Sequence, residues 1–262
     1  MKRGWTLVAA FAVVGCRSAA EESSAATASN PLGIGDEIDA VDESGTTLRF
    51  RIDAFEPDTR DRDGEVTLYA LSYRRSDDAE YQPYCAPDAE GRRLAIPVVG
   101  SWDTTGKYDD APGRVTFACT NGAIAKCVRF GYKPWKSIGG RSLAQHHLAC
   151  VRMVRADYCG DGHSHTREGT RIDLWDEVGV QGRDAVSAEP EVFEAAWSPD
   201  GAAYLAVPRW SDDVQEIIGH CPERLRGRTS KDVVLPPDAV SARFPDALLF
   251  NARFVNDEQR LR

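Results

Sequence analysis

Six cysteines stand downstream of an N-terminal stretch that reads as an export leader, and this combination constrains the fold more than any other feature. An exported chain meets an oxidising compartment, where an even set of cysteines closes into disulfides. Cys85, Cys119, Cys127, Cys150, Cys159 and Cys221 are therefore expected to form three bridges. Their spacing does not choose a connectivity. Zinc is the competing use of such residues, but the chain has no Cys-x-x-Cys pair.

The leader itself has a clear order. Lys2 and Arg3 precede an apolar run over residues 7–14, which is too short to span a bilayer. The run ends in Val13-Val14-Gly15-Cys16: an aliphatic residue, two tolerated residues, then a cysteine, as in a bacterial lipobox. Residues 1–15 are expected to be a lipoprotein signal peptide, with Cys16 left to carry the lipid. An ordinary signal peptide with a chance cysteine is the alternative. Residues 16–32 hold Ala, Ser, Thr and Glu with almost no large apolar side chain, so they read as a flexible tether. The expected location is the cell envelope, on its periplasmic or outer-surface side, with the membrane as partner through the lipid.

Residues 33–262 read as a single α+β domain with a β-rich N-terminal half, a central capped helix and further short helices. Strands are predicted over 46–55 and 65–74, joined by the turn Asp61-Arg62-Asp63-Gly64, and again over 94–99 and 114–118. Leu48-Arg49-Phe50-Arg51-Ile52 alternates apolar with charged, which buries one face and wets the other. Further on, Pro190 with Phe193 and Trp197 one turn apart predicts a short helix over 190–197. A strand follows over 203–207, then a helix opened by Ser211 with Val214, Ile217, Ile218 and Cys221 on its apolar face.

The richest stretch runs from Arg141 to Asp176 and contains four of the five histidines. Its helix begins with a capping-box pattern, Ser142 with Gln145. Leu143, His147, Cys150, Val151 and Val154 make one apolar stripe, with Arg141, Gln145 and Arg152 outside it. Arg152 and Arg155 suit the negative end of the helix dipole, and Gly160 is the expected left-handed terminator. Asp157 does not suit that end. Its carboxylate needs an arginine, a set of backbone N–H groups or a cation.

Two chemical readings compete with a purely structural one. His163 and His165, with Asp157 or Asp161, have the ligand types for a divalent metal, although no cofactor is otherwise indicated. Alternatively Asp157 or Asp161 orients a histidine as general base, which makes the loop a candidate site for an extracytoplasmic hydrolase. The structural reading clamps Asp157 with Arg152 or Arg155 and loop amides, and it is preferred. Tyr132, Trp135 and Trp175 are candidates for an aromatic binding shelf. A net charge of −9 argues against nucleic acid, which needs clustered basic residues. No Walker loop, dinucleotide glycine pattern, Gly-x-Ser-x-Gly elbow or His-Glu-x-x-His occurs.

Several runs together carry a family resemblance. They are Phe117-Ala118-Cys119-Thr120, Gly122-Ala123-Ile124-Ala125-Lys126-Cys127, Gly131-Tyr132-Lys133-Pro134-Trp135, the stretch 150–162 and the stretch 170–176. They resemble the ADYC domain family, whose motif stands here as Ala156-Asp157-Tyr158-Cys159. The resemblance covers roughly residues 113–205. It implies an exported bacterial protein, of a kind often found in myxobacteria, and it carries no activity or ligand over to any residue. Tyr204 departs from the pattern, since a cysteine is expected near it, and this leaves the partner of Cys221 open. The preferred function is a lipid-anchored, disulfide-stabilised binding or structural module.

Overall fold

The computed structural model describes residues 6–9, 12–15, 33–42, 46–75, 80–103, 106, 108–109, 114–183, 189–210 and 214–255. The fold class is the expected one: α+β, β-rich with a few short helices, and stabilised by disulfides. The chain divides into two compact units, Met1–Arg129 and Phe130–Arg262.

The first unit is built on one sheet. In spatial order its strands are Thr47–Pro57, Glu37–Asp42, Thr6–Ala9, Ala12–Gly15, Val115–Cys119, Leu94–Val99, Thr67–Arg75 and Gln82–Pro83. Thr47–Pro57 also pairs with Thr67–Arg75, so the sheet returns on itself. The alternation expected of residues 48–52 holds: Leu48, Phe50 and Ile52 are buried while Arg49 and Arg51 face outward. Those three side chains pack with Ile38, Tyr69, Leu71, Ala95 and Phe117 into the core of the unit. The polar turn is an aspartate device, in which Asp61 accepts from the N–H groups of Glu65 at 2.7 Å and Val66 at 2.9 Å. Cys85 is bridged to Cys119 within this core.

The apolar run expected in the leader supplies Thr6–Ala9 and Ala12–Gly15 of that sheet. The strands Glu37–Asp42, Thr47–Pro57, Thr67–Arg75, Leu94–Val99 and Val115–Cys119 nevertheless pair consecutively without it. Cys16 and the tether lie outside the described residues.

The second unit has a four-stranded antiparallel sheet in the order Ile172–Asp176, Leu249–Phe254, Glu191–Ser198, Gly201–Leu205. Residues 190–197 are thus strand and not the predicted helix. A spacing of four residues fits a strand as well as a helical turn, and register shifts between Phe193 and Ala195 and between Ala196 and Trp197 leave Phe193 against Tyr204 and Trp197 against Tyr158. Ala196, Tyr204 and Phe250 face one side and pack under Val240 of the helix Pro237–Arg243 and under Phe244, the residue that caps its C-terminus. The central helix Ala144–Arg155 packs against the three strands Glu191–Ser198, Gly201–Leu205 and Leu249–Phe254. That sheet, with the end of that helix, positions the Ala156–Cys159 motif and the loop after it.

Candidate functional site: the helix end, its motif and the histidine loop

The helix starts at Ala144 with Leu143 as its N-cap, and no side chain caps it. Ser142 Oγ instead accepts from the Ala144 N–H at 3.2 Å, just before the first turn, so the expected capping box does not form. The apolar stripe is present, but Arg152 belongs to the buried set rather than the wet one. Termination also falls earlier than Gly160. Ala156 is the left-handed residue, at φ 51°. Its N–H donates to Met153 O at 3.0 Å and that of Asp157 to Arg152 O at 2.9 Å, the paired bonds of a Schellman ending. An alanine there accepts backbone strain that a glycine avoids.

Each residue of the Ala156–Cys159 motif then has a structural task. Asp157 is fully buried and bound by Arg152 Nη1 at 2.6 Å. It also accepts from the N–H of Gly160 at 2.8 Å and of Gly162 at 3.0 Å. An arginine and two amides therefore supply the compensation that a carboxylate at a helix C-terminus requires. Tyr158 is buried with its ring stacked on Trp197 at 5.3 Å, and its hydroxyl donates to Glu194 Oε1 at 3.1 Å. Burial pushes its hydroxyl well above the ordinary tyrosine value, with the Glu194 carboxylate adding to the shift. Cys159 is bridged to Cys221. All six downstream cysteines are disulfide-bonded.

The chain beyond the motif passes extremely close to the hairpin Pro199-Asp200-Gly201. A Cβ on Gly160 would stand 1.9 Å from Asp200 O, and one on Gly201 would stand 2.7 Å from Tyr158 O. Both positions also hold positive φ, so both need glycine. The contact is sealed by the Ala202 N–H donating to Tyr158 O at 2.9 Å.

Beneath the motif lies a buried ionic network that sequence reasoning missed. Glu194 and Arg209 pair at 2.9 Å, with side-chain exposures of 0% and 2%. Asn251 donates to Glu194 at 2.8 Å and accepts from Trp197 Nε1 at 2.7 Å. The same guanidinium also donates to Met153 O at 2.8 Å, Val154 O at 3.2 Å and Thr166 Oγ1 at 3.0 Å. Arg209 thereby caps Val154 O at the helix end and adds a second donor to Met153 O. One signal was available in the sequence: Glu194 is a lone carboxylate in the apolar run Val192-Phe193-Glu194-Ala195-Ala196-Trp197.

The remaining candidates lie at the surface. Asp161 and His220 meet at 2.6 Å, and both are exposed. The rings of His163 and His165 stand 4.7 Å apart, and those of His163 and His220 6.0 Å apart. Burial alone raises the Asp161 carboxyl, but the His163 N–H and the His220 ring outweigh it and hold the group below its ordinary value. These contacts therefore help the fold above the unfolded carboxyl's titration and are lost as acid protonates the folded one. Asp157 does not join this group. The aromatic shelf does not assemble either. Tyr132 is buried and donates to Asp176 at 2.7 Å, Trp175 stacks on Phe250, and Trp135 is exposed.

Asp157→Asn is expected to lower stability by about 1–3 kcal/mol through loss of the charged hydrogen bonds. Urea unfolding checks this, and an unchanged midpoint would show that the clamp contributes nothing.

Together the buried motif, the bridges and the two-unit β-rich architecture define a stabilised domain of extracellular type. The chain belongs to the ADYC domain family, whose model matches residues 34–211. The match is wider than the core of 113–205 read from the motifs, because the strands of the first unit are included. Tyr204, where a cysteine was expected, is a buried core aromatic donating to Val233 O at 2.7 Å, and Cys221 finds its partner in Cys159. No curated protein and no solved structure matches the chain.

Proposed function

We propose that this is a lipid-anchored protein of the cell envelope that serves as a binding or structural module. The observation that carries the reading is the state of Asp157. The carboxylate that the motif offers for chemistry is fully buried and engaged by Arg152 and two backbone amides. The hydrolase reading loses Asp157 as a candidate, and Asp161 is paired with His220 at 2.6 Å.

Two features support the anchor. One is the lipobox pattern Val13-Val14-Gly15-Cys16. The other is the disulfide-bonded state of the cysteines downstream, which fits an oxidising compartment. Among the described residues no helix is long and apolar enough to cross a membrane. On this reading the lipid on Cys16 supplies the membrane attachment. Cys16→Ser is expected to move the protein from the membrane fraction to the soluble one, read by fractionation and immunoblotting. A Cys16→Ser protein that stays fully membrane-bound would refute the anchor.

A further inference from the structure

We propose that Asp161, His163 and His220 form a binding site for one divalent transition-metal ion of the zinc type. The proposal goes beyond the module reading and does not depend on the lipid anchor.

The ligand chemistry is the first argument. Two imidazoles and one carboxylate suit zinc and its neighbours, and three protein ligands leave a position for water. Geometry is the second. Two imidazoles bound to one tetrahedral metal, with metal–nitrogen distances of about 2.0–2.1 Å, place their ring centres about 5 Å apart. The rings of His163 and His220 stand 6.0 Å apart, and the ring nitrogens of His163 are not among the donor atoms already within 4.8 Å of one another, so the exposed His163 side chain turns inward to complete the set. Asp161 Oδ2 and His220 Nε2 are 2.6 Å apart. Neighbouring ligand atoms on a tetrahedral ion stand about 3.3 Å apart, so the pair opens by under about 1 Å when the ion replaces their hydrogen bond.

Pre-organisation is the third argument. The ligands come from two segments distant in sequence, and the Cys159–Cys221 bridge fastens those segments beside the ligands. Cys159 lies two residues before Asp161, and Cys221 follows His220. The loop is also held from within. The N–H groups of His165 and Thr166 both donate to Arg155 O, at 3.1 and 3.2 Å, and Ser164 Oγ donates to the same oxygen at 2.9 Å. His163 donates its backbone N–H to Asp161 Oδ1 at 2.9 Å, which orients the carboxylate and leaves Oδ2 turned toward His220. His165 packs its ring on buried Tyr158 at 5.2 Å and on His163, which braces the ring of His163. Cys159 Sγ lies within 4.8 Å of the Asp161 and His220 ligand atoms, but its commitment to the disulfide excludes it as a thiolate ligand.

The test is zinc titration of the purified full chain, prepared without a histidine tag, by calorimetry and by competition with a chromogenic chelator. The expected result is saturable uptake of one zinc per chain. His163→Ala and His220→Ala should each weaken it by at least about tenfold. Zinc should also raise the melting temperature of the unaltered protein but not that of the His163→Ala/His220→Ala variant. Because these side chains are exposed, the zinc-free melting temperature of that variant should stay close to the original, which separates lost binding from lost folding. No saturable uptake, or full uptake retained by the double variant, would overturn the site.

Discussion

Arg209→Met is expected to destabilise the second unit by about 3–5 kcal/mol, the usual effect of removing one partner from a buried ion pair. Glu194 would keep only Asn251 and the Tyr158 hydroxyl as donors, at a position with no exposure to water. The helix end would at the same time lose the guanidinium that binds the Met153 and Val154 carbonyls. Urea unfolding followed by tryptophan fluorescence reads the effect. Replacing both partners, as in Glu194→Met/Arg209→Met, should recover part of the loss, because no uncompensated charge then remains buried. If Arg209→Met alone left the unfolding midpoint within about 0.5 kcal/mol of the original, the network would be ornamental and the helix would need another cap.

Cys159→Ser/Cys221→Ser should remove about 4 kcal/mol, the chain-entropy estimate for a bridge whose cysteines are 62 residues apart. Cys221 is buried, as are Ile217 and Leu225 on either side of it in sequence. Thermal unfolding of the bridged protein and the double-serine variant measures the difference directly. A loss below about 1 kcal/mol would mean that the unfolded chain is already held compact through this region. Within the motif, Asp157 and Tyr158 act through hydrogen bonds and Cys159 through chain topology.

The motif therefore acts as a joint. It turns the chain out of a helix at Ala156, compensates the Asp157 carboxylate with Arg152 and two loop amides, and plants Tyr158 on Trp197 over a buried ion pair. It then ties the next loop to a distant helix through Cys159. Such an arrangement supports a surface loop rigidly. It places Asp161 and His163 beside His220 at an accessible point.

Much of this was legible in local pattern. The alternation of Leu48, Phe50 and Ile52 foretold a half-buried strand, because a period of two has only one way to bury a face. The spacing of His147, Cys150 and Val151 foretold the central helix. Electrostatics alone required a partner for Asp157, and the structure supplies Arg152. Residues 191–198 misled for an equally physical reason. Phe193 and Trp197 stand four residues apart, a spacing that suits a helical turn and a strand equally, and only pairing with the strands on both sides made the segment a strand.

What the sequence by itself determined is therefore short in range: strand and helix periods, the commitment of the cysteines to bridges, and the positions where a charge needed an answer. Tertiary structure alone decided which groups answer. Cys221 pairs with Cys159, Arg209 reaches Glu194, and His220 reaches Asp161 across a separation of 59 residues. Periodicity reports how a residue relates to its neighbours within a turn or a strand. Contacts between remote segments depend instead on how sheet, helix and loop pack, and many sequences with the same local pattern would pack those segments differently.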